Sequence, residues 1–573
     1  MCHFSFCVYA CLDVEKMDRK IFSWDRVVVC VSKSTLVILG QYTNDSRSGT
    51  LLLNRQSLFT NIQELPSEPI DPVVSTSLVT GVGLVGFLTL GEHTYLGVIT
   101  KCVPAASIGD HVVFGITELV WVPVSFGQVS ASKSDSKNLS EVSNLFKSGD
   151  FLFCKSLNLD GGNSARFQWN YDHSLQNVSD MWRTCVIHGS VKSAAFSSLG
   201  RPFAFIIIAR RSRHFAGTRY RKRGISWEGN CANEVEMEQL LISFGPPDRI
   251  FSFKQIRASV PLRWTQDSHG LVPKPEIVIR HDDLELSATC AHFENLKTRY
   301  GCPILVVSLL GIHSSESELG TEYLNAIEWL VAEKFMSIEL TQFDLKEAAS
   351  EIDDVLVPSF RMYAQGAKIA KELVKRVSWS DLGGQKKQRG IVRTNCLDCL
   401  DRTNIFQYIL GLECLNQQLI QLGVMESGLR PSWILPPGSS SSDLLVLIES
   451  MYEATGDQLS FQYAGTAAHK KYSSGQTDAL YNSGREIFIS LSRHYSSAFT
   501  DHDKQNAINL FHSSEPKNEY DTHEQTANTI FSLTNPEKGL VPFSHIRRFG
   551  DPKPIHFNTP QISPKPSRSS SLA

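Results

Sequence analysis

The chain has 573 residues, more than one hydrophobic core usually serves, so two or more domains are expected. Its composition, with 42% hydrophobic and 20% charged residues, is that of an ordinary soluble globular protein, and its net charge of −3 argues against a wholly basic nucleic-acid-binding protein. Its 13 cysteines are scattered over a long chain, which argues against the dense disulfide framework of a small secreted domain and favours free thiols in a reducing cytoplasm.

Residues 1–21 are set apart as an N-terminal extension to which the sequence assigns no structure. The segment is apolar, but it lacks the basic region and the small-residue cleavage site of a secretory signal peptide. Met17 offers an alternative translation start. No signal peptide is therefore expected.

Residues 22–179 are predicted to form a mostly β N-terminal subdomain. Short β-branched runs such as RVVVCVS, STLVILG and HVVFGITELVWV alternate there with turn residues. The polar stretch 130–143 predicts a loop or a helix-capping linker. The uncharged run 72–91 has the length of a membrane span, but its Ser, Thr and Gly residues favour strands and a turn. No transmembrane span is therefore predicted.

Residues 180–511 are predicted to form an α/β domain. Strand-like runs such as PFAFIIIAR and PILVVSLLG alternate with helical stretches such as TEYLNAIEWLVAEKF and SFRMYAQGAKIAKELVKRV. The remaining residues, 512–573, end in a segment rich in Pro, Ser and Lys and are predicted to be a disordered tail.

A basic segment lies near the start of the α/β domain. It contains seven basic residues within fourteen positions: Arg210, Arg211, Arg213, Arg219, Arg221, Lys222 and Arg223. Such a cluster predicts an electropositive surface for anionic lipid headgroups, where each basic residue is worth about 1 kcal/mol. A solvated face without a ligand is the alternative. Nucleic acid is not an expected partner, because no aromatic stacking platform accompanies the segment.

The segment VRTNCLDCLDRTN, residues 392–404, combines two cysteines with two aspartates and two arginines. A metal clip, a redox pair and a phosphate-binding loop could each require such a segment. A zinc site needs a second pair of ligands, and no second C-x-x-C occurs in the chain. The flanks also differ from those of thioredoxin-like redox motifs. No metal ion and no cofactor is therefore expected.

The third possibility, a phosphate-binding loop, depends on Cys396 and Arg402, which form a Cys-x5-Arg pair. No other cysteine of the chain has an arginine at that offset. The apolar residues 390–392 predict a strand before the pair. After it, a one-face helical spacing is formed by Ile405, Ile409, Leu412, Leu415 and Leu419. Strand, short loop and helix together form the geometry in which backbone amides converge on an anion.

These residues suggest nucleophilic chemistry on a phosphate. A thiolate at Cys396 can attack phosphorus, and the planar fork of Arg402 can hold two phosphate oxygens. Thr403 can donate its hydroxyl to the thiolate. The leaving group needs a general acid. Either Asp398 or Asp401 is then held protonated, with Asp398 preferred; alternatively, Asp401 caps the following helix or orients Arg402.

The run RTNCLDCLDRTN, residues 393–404, resembles the signature of the Sac-domain phosphoinositide phosphatases. Residues 216–239 (AGTRYRKRGISWEGNCANEVEMEQ), 251–266 (FSFKQIRASVPLRWTQ) and 462–468 (QYAGTAA) resemble further shared blocks. The resemblance covers nearly all of residues 22–511. It implies an α/β catalytic domain with a Cys-x5-Arg phosphate loop between strand and helix, preceded by a mostly β N-terminal Sac subdomain.

The resemblance further implies hydrolysis of phosphate monoesters on the inositol ring of membrane phosphoinositides, without a metal. The substrates expected are phosphatidylinositol 4-phosphate, the 3-phosphate or the 3,5-bisphosphate. Cys396 would be the nucleophile and Arg402 the phosphate clamp. Substrate contacts are expected from Asn395, Leu397, Cys399, Leu400, Arg219 and Arg223. The protein is expected to be cytoplasmic and peripheral on intracellular membranes, with any recruiting protein unidentified.

Departures from the family blocks at Cys231, Glu234 and Ala258 leave the preferred ring position open. Two other functions also stay open. One is a non-catalytic phosphoinositide-binding adaptor, which the presence of Cys396, Arg402 and Thr403 disfavours because a pure binder needs no nucleophile. The other is a protein phosphatase that uses the same loop.

Overall fold

The chain folds around one long β-sheet. The structure, a computed structural model, describes residues 23–512 except 33, 43–47, 57–61, 67–76, 128–129, 176, 246–247, 267–274, 351–357, 383, 385, 426–427, 431–442 and 469–500. The described residues belong to one compact unit. The predicted extension, 1–21, and the predicted tail, apart from His512, lie outside them.

The strands have the following bounds: β1 Arg26–Val31, β2 Thr35–Gln41, β3 Ser48–Asn54, β4 Ile62–Pro66, β5 Ser77–Gly81, β6 Gly83–Leu90, β7 His93–Ile108, β8 His111–Pro123, β9 Phe151–Cys154, β10 Ile187–Ser198, β11 Arg201–Arg211, β12 Val235–Ser243, β13 Arg249–Arg257, β14 Trp264–Thr265, β15 Val278–Ile279, β16 Ile304–Ser308, β17 Ile338–Gln342, β18 Ser380–Asp381 and β19 Ile391–Asn395.

The helices have the following bounds: α1 Lys133–Phe146, α2 Ser164–Phe167, α3 Ser287–Tyr300, α4 Ser317–Lys334, α5 Leu345–Ser350, α6 Pro358–Val377, α7 Asp401–Gln421, α8 Asp443–Ala464 and α9 Asp501–Phe511. A short 3-10 helix spans Asp180–Trp182.

The long sheet has the strand order β17-β16-β19-β13-β12-β11-β10-β9-β8-β7-β6, with β18 beside β13. Its strands are antiparallel from β6 to β13, whereas β13, β19, β16 and β17 are mutually parallel. Because β9 pairs with β10, the sheet continues across residue 180. The two predicted subdomains therefore share one sheet, and their boundary stays a prediction.

The parallel strands are apolar on both faces, as expected for strands covered by helices on each side. In β16, Ile304 and Val306 pack into the cluster formed with α3 and α4, whereas Leu305 and Val307 pack into the cluster formed with α6, α7 and α8. Successive side chains of a strand point to opposite faces, so this short run fills two cores. The predicted mixed α/β fold is confirmed.

The N-terminal part packs sheet on sheet. A five-stranded sheet of order β4-β3-β2-β1-β5 shares a core with β6, β7 and β8, and α1 and α9 cover the other face of those strands. The stretch 130–143, predicted as a loop or a capping linker, contains most of α1. Ser132 caps this helix by accepting the Asp135 amide at 3.0 Å, and Leu139, Val142 and Phe146 are its buried face.

In the part of the chain that the structure describes, no helix combines the length and the apolar character that crossing a bilayer requires.

Candidate active site

The Cys-x5-Arg segment lies at the carboxyl edge of the parallel strands. β19 ends at Asn395 and α7 begins at Asp401, so residues 396–400, here called the cysteine loop, connect them. The strand and the helix predicted around this loop are present. β13 and β16 flank β19 in parallel. Because parallel strands direct their carboxyl ends to the same edge, that edge is where α/β sheets form their binding crevices.

Side chains from distant parts of the chain hold the carbonyls of the cysteine loop from outside. The bonds are Arg223 Nη1 to Leu397 O at 3.1 Å, Asn233 Nδ2 to Asp398 O at 3.2 Å, and Arg257 Nη2 to Cys399 O and, at 3.4 Å, to Leu400 O. In a trans peptide the N–H points away from the C=O. The amides of residues 398–401 therefore face the inner side of the loop, an arrangement that suits an anion.

The thiol of Cys396 lies on that inner side. The Cys399 amide donates to Cys396 Sγ at 3.0 Å, and Thr403 Oγ1 donates to the same sulfur at 3.3 Å. Cys399 has a φ of 52°, a left-handed conformation that non-glycine residues rarely adopt. The left-handed backbone conformation of Cys399 therefore accompanies the hydrogen bond from its amide to the Cys396 sulfur.

The surroundings of Cys396 favour its thiolate. Burial alone raises the pKa of the thiol, but hydrogen bonding from Cys399, the charge of Arg402 and the hydroxyl of Thr403 outweigh burial and lower the pKa to about 6. Burial raises the pKa of Cys399 well above its ordinary value, and its Sγ donates to the Ala258 carbonyl at 2.7 Å. Of the two thiols, Cys396 is therefore the one whose surroundings favour ionisation, and its role as the nucleophile stays a prediction.

This pKa predicts an acid limb near pH 6 in the pH profile of kcat/KM. Above pH 6 the thiolate is present, and below it the sulfur takes up a proton and the nucleophile is lost. In Thr403→Val the thiolate loses a donor, so its pKa rises and the acid limb moves to higher pH. A bond to a charged group is worth about 1.5–3 kcal/mol, which corresponds to about 1–2 pH units.

Thr455→Val is the matched control, because it also removes a buried hydroxyl, one that donates to Met451 O on α8. Its acid limb should stay near pH 6. An unchanged limb in Thr403→Val would contradict the assignment of Thr403 as a donor to the thiolate.

Arg402 is oriented by a residue that sequence reasoning missed. Its Nη1 and Nη2 each donate to one oxygen of Glu316 at 2.7 Å, and Nη1 also donates to the Leu309 carbonyl at 2.8 Å. A guanidinium has five N–H donors, so these bonds leave the edge formed by Nε and the second Nη2 hydrogen without a partner among the described residues. Glu316 thereby fixes the plane of the fork while leaving one edge open.

Asp398 lies in a clamp of two arginines. Arg219 donates to both of its oxygens, from Nε at 3.0 Å and from Nη2 at 2.5 Å, and Arg223 Nη2 donates at 2.7 Å. Burial alone would raise the pKa of Asp398, but the two guanidinium groups hold it well below the usual range. The expectation that Asp398 is held protonated is therefore wrong for the free protein, because the arginines expected near the site face this carboxylate.

Asp401 is the first residue of α7, and its carboxyl group lies at the positive end of that helix. The capping position is occupied by Leu400, so the alternative that Asp401 is the helix cap is wrong. Asn395 is fully buried, and its side chain accepts from Arg393 Nη1 at 3.1 Å and donates to Ser308 Oγ at 3.3 Å. Its contact with substrate stays a prediction.

The two leucines of the loop that were predicted to contact substrate have their side chains packed in the protein interior. Leu400 is buried against Tyr463 and Ala464, and Leu397 is partly buried against the core under α3 and α4. Their roles in binding substrate stay predictions.

The basic segment is not the contiguous basic surface that we expected. Four of its seven residues are buried with partners inside the protein: Arg210 with Glu236 and Glu238, Arg211 with the carbonyls of Gln462 and Gly217, Arg213 with Asp172, and Arg223 with Asp398. Arg219 and Lys222 are half-buried, and Arg221 is exposed. The prediction failed because β11 carries the first of these residues into the sheet, beside carboxylates on β12.

Arg210→Met is expected to destabilise the protein by about 3–5 kcal/mol in urea denaturation, because it leaves two buried carboxylates without their main partner. Arg210 bonds Glu236 at 2.9 Å and Glu238 at 2.7 Å. Arg221→Met, at the exposed position of the same segment, serves as the control and should change the free energy of unfolding by less than about 0.5 kcal/mol. Equal, small losses in the two variants would show that the buried ion pairs contribute little.

Three side chains that shape the site were not assigned roles there from sequence: Asn233, Arg257 and Glu316. The first two fall inside blocks that resemble the Sac family, so the signal was present, although Asn233 was interpreted as structural and Arg257 was not singled out. Glu316 lies outside every such block and could be found only from the structure.

No group of three or more His, Cys, Asp or Glu side chains within the described ranges is arranged to hold a metal ion.

Comparison with known proteins identifies relatives of this chain. A family model described as the SacI homology domain matches residues 82–350, a span that ends before β19. Phosphoinositide phosphatase SAC4 of Arabidopsis thaliana is 31% identical over 512 residues, covering 75% of this chain and 60% of that protein. The polyphosphoinositide phosphatase of Schizosaccharomyces pombe is 31% identical over 505 residues, covering 80% of this chain and 58% of that protein.

Synaptojanin-1 of Homo sapiens is 30% identical over 429 residues, covering 69% of this chain and 25% of that protein. This chain thus spans about three fifths of the length of the first two relatives and a quarter of the third.

Proposed function

This chain belongs to the family of proteins with a SacI homology domain, and we propose that it is a phosphoinositide phosphatase. It hydrolyses phosphate monoesters on the inositol ring through a cysteinyl-phosphate intermediate. The names of its relatives, which match three quarters or more of the chain, support the substrate class. The preferred monoester is that of phosphatidylinositol 4-phosphate, the 3-phosphate or the 3,5-bisphosphate.

The observation that carries this proposal is the inner face of the cysteine loop. Four consecutive carbonyls are held outward, so the amides of residues 398–401 face the inner side of the loop, and the Cys399 amide donates to the Cys396 sulfur there. A phosphate group placed over the sulfur would accept hydrogen bonds from these amides at the positive end of α7. The same position brings phosphorus within reach of the thiolate.

The proposed reaction has two steps. In the first, Cys396 Sγ attacks phosphorus, the bond between phosphorus and the ring oxygen breaks, and that oxygen takes up a proton. In the second, water attacks the cysteinyl phosphate, releasing inorganic phosphate and the thiolate, which the Thr403 hydroxyl stabilises. The open edge of Arg402 holds the equatorial phosphate oxygens in both steps.

The proton for the leaving oxygen comes from Asp398 or Asp401. Asp398 can carry it only after its bonds to Arg219 and Arg223 loosen, since both arginines favour its ionised form. Asp401 stands at the first turn of α7, next to Arg402.

The substrate lies in a membrane, so the protein acts from the membrane surface as a cytoplasmic, peripheral enzyme of intracellular membranes. The exposed Arg221 and the half-buried Lys222 are the members of the basic segment that can face anionic lipid.

The test is phosphate release from a panel of short-chain diC8 phosphoinositides, with EDTA present throughout. We expect release from at least one lipid, and the panel then identifies the ring position. Faster hydrolysis of phosphotyrosyl peptides than of every lipid would point to a protein phosphatase. Folded protein that binds the lipids without hydrolysing any of them would point to the adaptor.

A further inference from the structure

The two arginines around Asp398 form a complete anion site. Asp398 accepts three hydrogen bonds from Arg219 and Arg223 at 2.5–3.0 Å. Planar guanidinium groups recognise phosphate by the same paired geometry with which they hold a carboxylate. We propose that Arg219 and Arg223 form a second phosphate subsite, filled by Asp398 in the free protein, which receives the second phosphate of a doubly phosphorylated inositol ring. This inference rests on the proposed function, which it extends to the class of substrate.

Arg223 is held in place without Asp398. Arg223 donates to Leu397 O at 3.1 Å and to Gln266 Oε1 at 2.7 Å, and its guanidinium lies 5.3 Å from the ring of Tyr220 and 5.3 Å from that of Trp264. These contacts would keep Arg223 in position if the carboxylate left.

Arg219 is supported by one aromatic ring at its guanidinium and by two hydrogen bonds at its backbone. Its guanidinium lies 4.9 Å from the Tyr220 ring, its amide donates to Tyr463 O at 2.9 Å, and the Tyr463 hydroxyl donates to its carbonyl at 3.2 Å. Among the described residues, the Asp398 side chain has hydrogen bonds only to the two arginines, whereas Arg223 also bonds Leu397 and Gln266. The carboxylate is therefore the partner that can swing away by rotating its own side chain.

The charges also favour displacement by a phosphate. One carboxylate neutralises only one of the two guanidinium charges, and the side chain of Arg223 is only 1% exposed. A phosphate dianion would match both charges, and unpaired buried charge is costly. The Asp398 charge also acts on the neighbouring site, where it raises the pKa of Cys396 and that of Arg402. The two anion positions thus lie on one loop within electrostatic reach of each other.

Displacement would couple substrate choice to catalysis. A phosphate on Arg219 and Arg223 would remove the partners that keep Asp398 ionised, so the pKa of Asp398 would rise and the carboxyl could take up a proton. Released from the clamp, it could deliver that proton to the leaving oxygen. A ring with a single phosphate over Cys396 would leave Asp398 clamped.

Binding in a Cys396→Ser background tests the subsite without turnover. Isothermal titration would compare diC8 phosphatidylinositol 3,5-bisphosphate with the 3-phosphate, before and after Asp398→Asn. Asparagine keeps the size of the side chain and removes the charge that competes for the arginines. We expect the bisphosphate to bind about tenfold more tightly after the substitution, and the monophosphate to change by less than about threefold.

Asp172→Asn, in the same background, controls for the loss of one negative charge from an arginine pair, because Asp172 is paired with Arg213. It should change neither affinity. Adding Arg219→Met to the Asp398→Asn protein should abolish the extra affinity for the bisphosphate. Thermal melts of each variant check that it is folded.

An Asp398→Asn protein that binds both lipids with equal gains, or binds neither more tightly, would overturn the subsite. These outcomes are separate from failure of the proposed function, which appears as the absence of phosphate release by the unsubstituted protein.

Discussion

Replacing Cys396 by serine is expected to lower phosphate release by about 10⁴-fold or more, the scale on which enzymes lose turnover when the nucleophile is removed. The substitution exchanges one atom and leaves the cysteine loop in place. The sulfur is held near a pKa of about 6 by three neighbours, whereas a serine hydroxyl stays protonated in the same surroundings. Phosphate release from the most reactive diC8 lipid, with enzyme in excess, measures the loss.

Cys399→Ser is the matched control. Cys399 contributes its backbone amide to the Cys396 sulfur, and serine retains that amide. Its own thiol bonds to Ala258 O rather than facing the site. We expect a loss of less than about tenfold, in line with one weakened hydrogen bond. Equal losses in the two variants would favour chemistry that needs both thiols, such as a redox pair.

The sequence predicted the site's central residues because their spacing is local. Cys396, Arg402 and Thr403 lie within eight positions, and the strand before them and the helix after them are evident from apolar periodicity. The same periodicity predicted the helices now seen as α4 and α6. Where neighbours in sequence are neighbours in space, pattern and structure agree.

The interactions that shape the loop could not be predicted in this way. The carbonyls of the cysteine loop are held by Arg223, Asn233 and Arg257, which lie more than 140 positions earlier in the chain. Arg257 ends β13, and Arg223 and Asn233 lie in the connection between β11 and β12, so the sheet brings them to the loop after β19. Composition likewise gave a wrong prediction of exposure for Arg210. A run of arginines in the sequence does not indicate whether carboxylates lie beside it on the neighbouring strand.

The helix α1 shows the same limit on a smaller scale. Its polar, serine-rich sequence favoured a loop, and its buried apolar side chains are Leu139, Val142 and Phe146, with Leu145 partly buried beside them. That narrow apolar stripe is enough because α9, from the far end of the described chain, packs against it.

Arg402→Lys is expected to lower kcat/KM by about 10²–10³-fold, the cost of losing a preorganised donor to transition-state charge. Lysine keeps the positive charge but has no planar fork. Arg402 uses one side of its fork to bond Glu316 and Leu309, which leaves the Nε edge for phosphate. A lysine ammonium held by Glu316 could not present two further parallel donors. Initial rates on the most reactive lipid give the ratio.

Arg376→Lys provides the matched comparison. Arg376 also forms a two-bond pair with a glutamate, Glu339, but on the exposed surface away from the cysteine loop. Its kcat/KM should equal that of the unsubstituted protein. If Arg402→Lys were equally active, charge alone would suffice at the phosphate, and the orientation imposed by Glu316 would have no part in the reaction. A large loss confined to position 402 would instead assign the catalytic contribution to the fork itself.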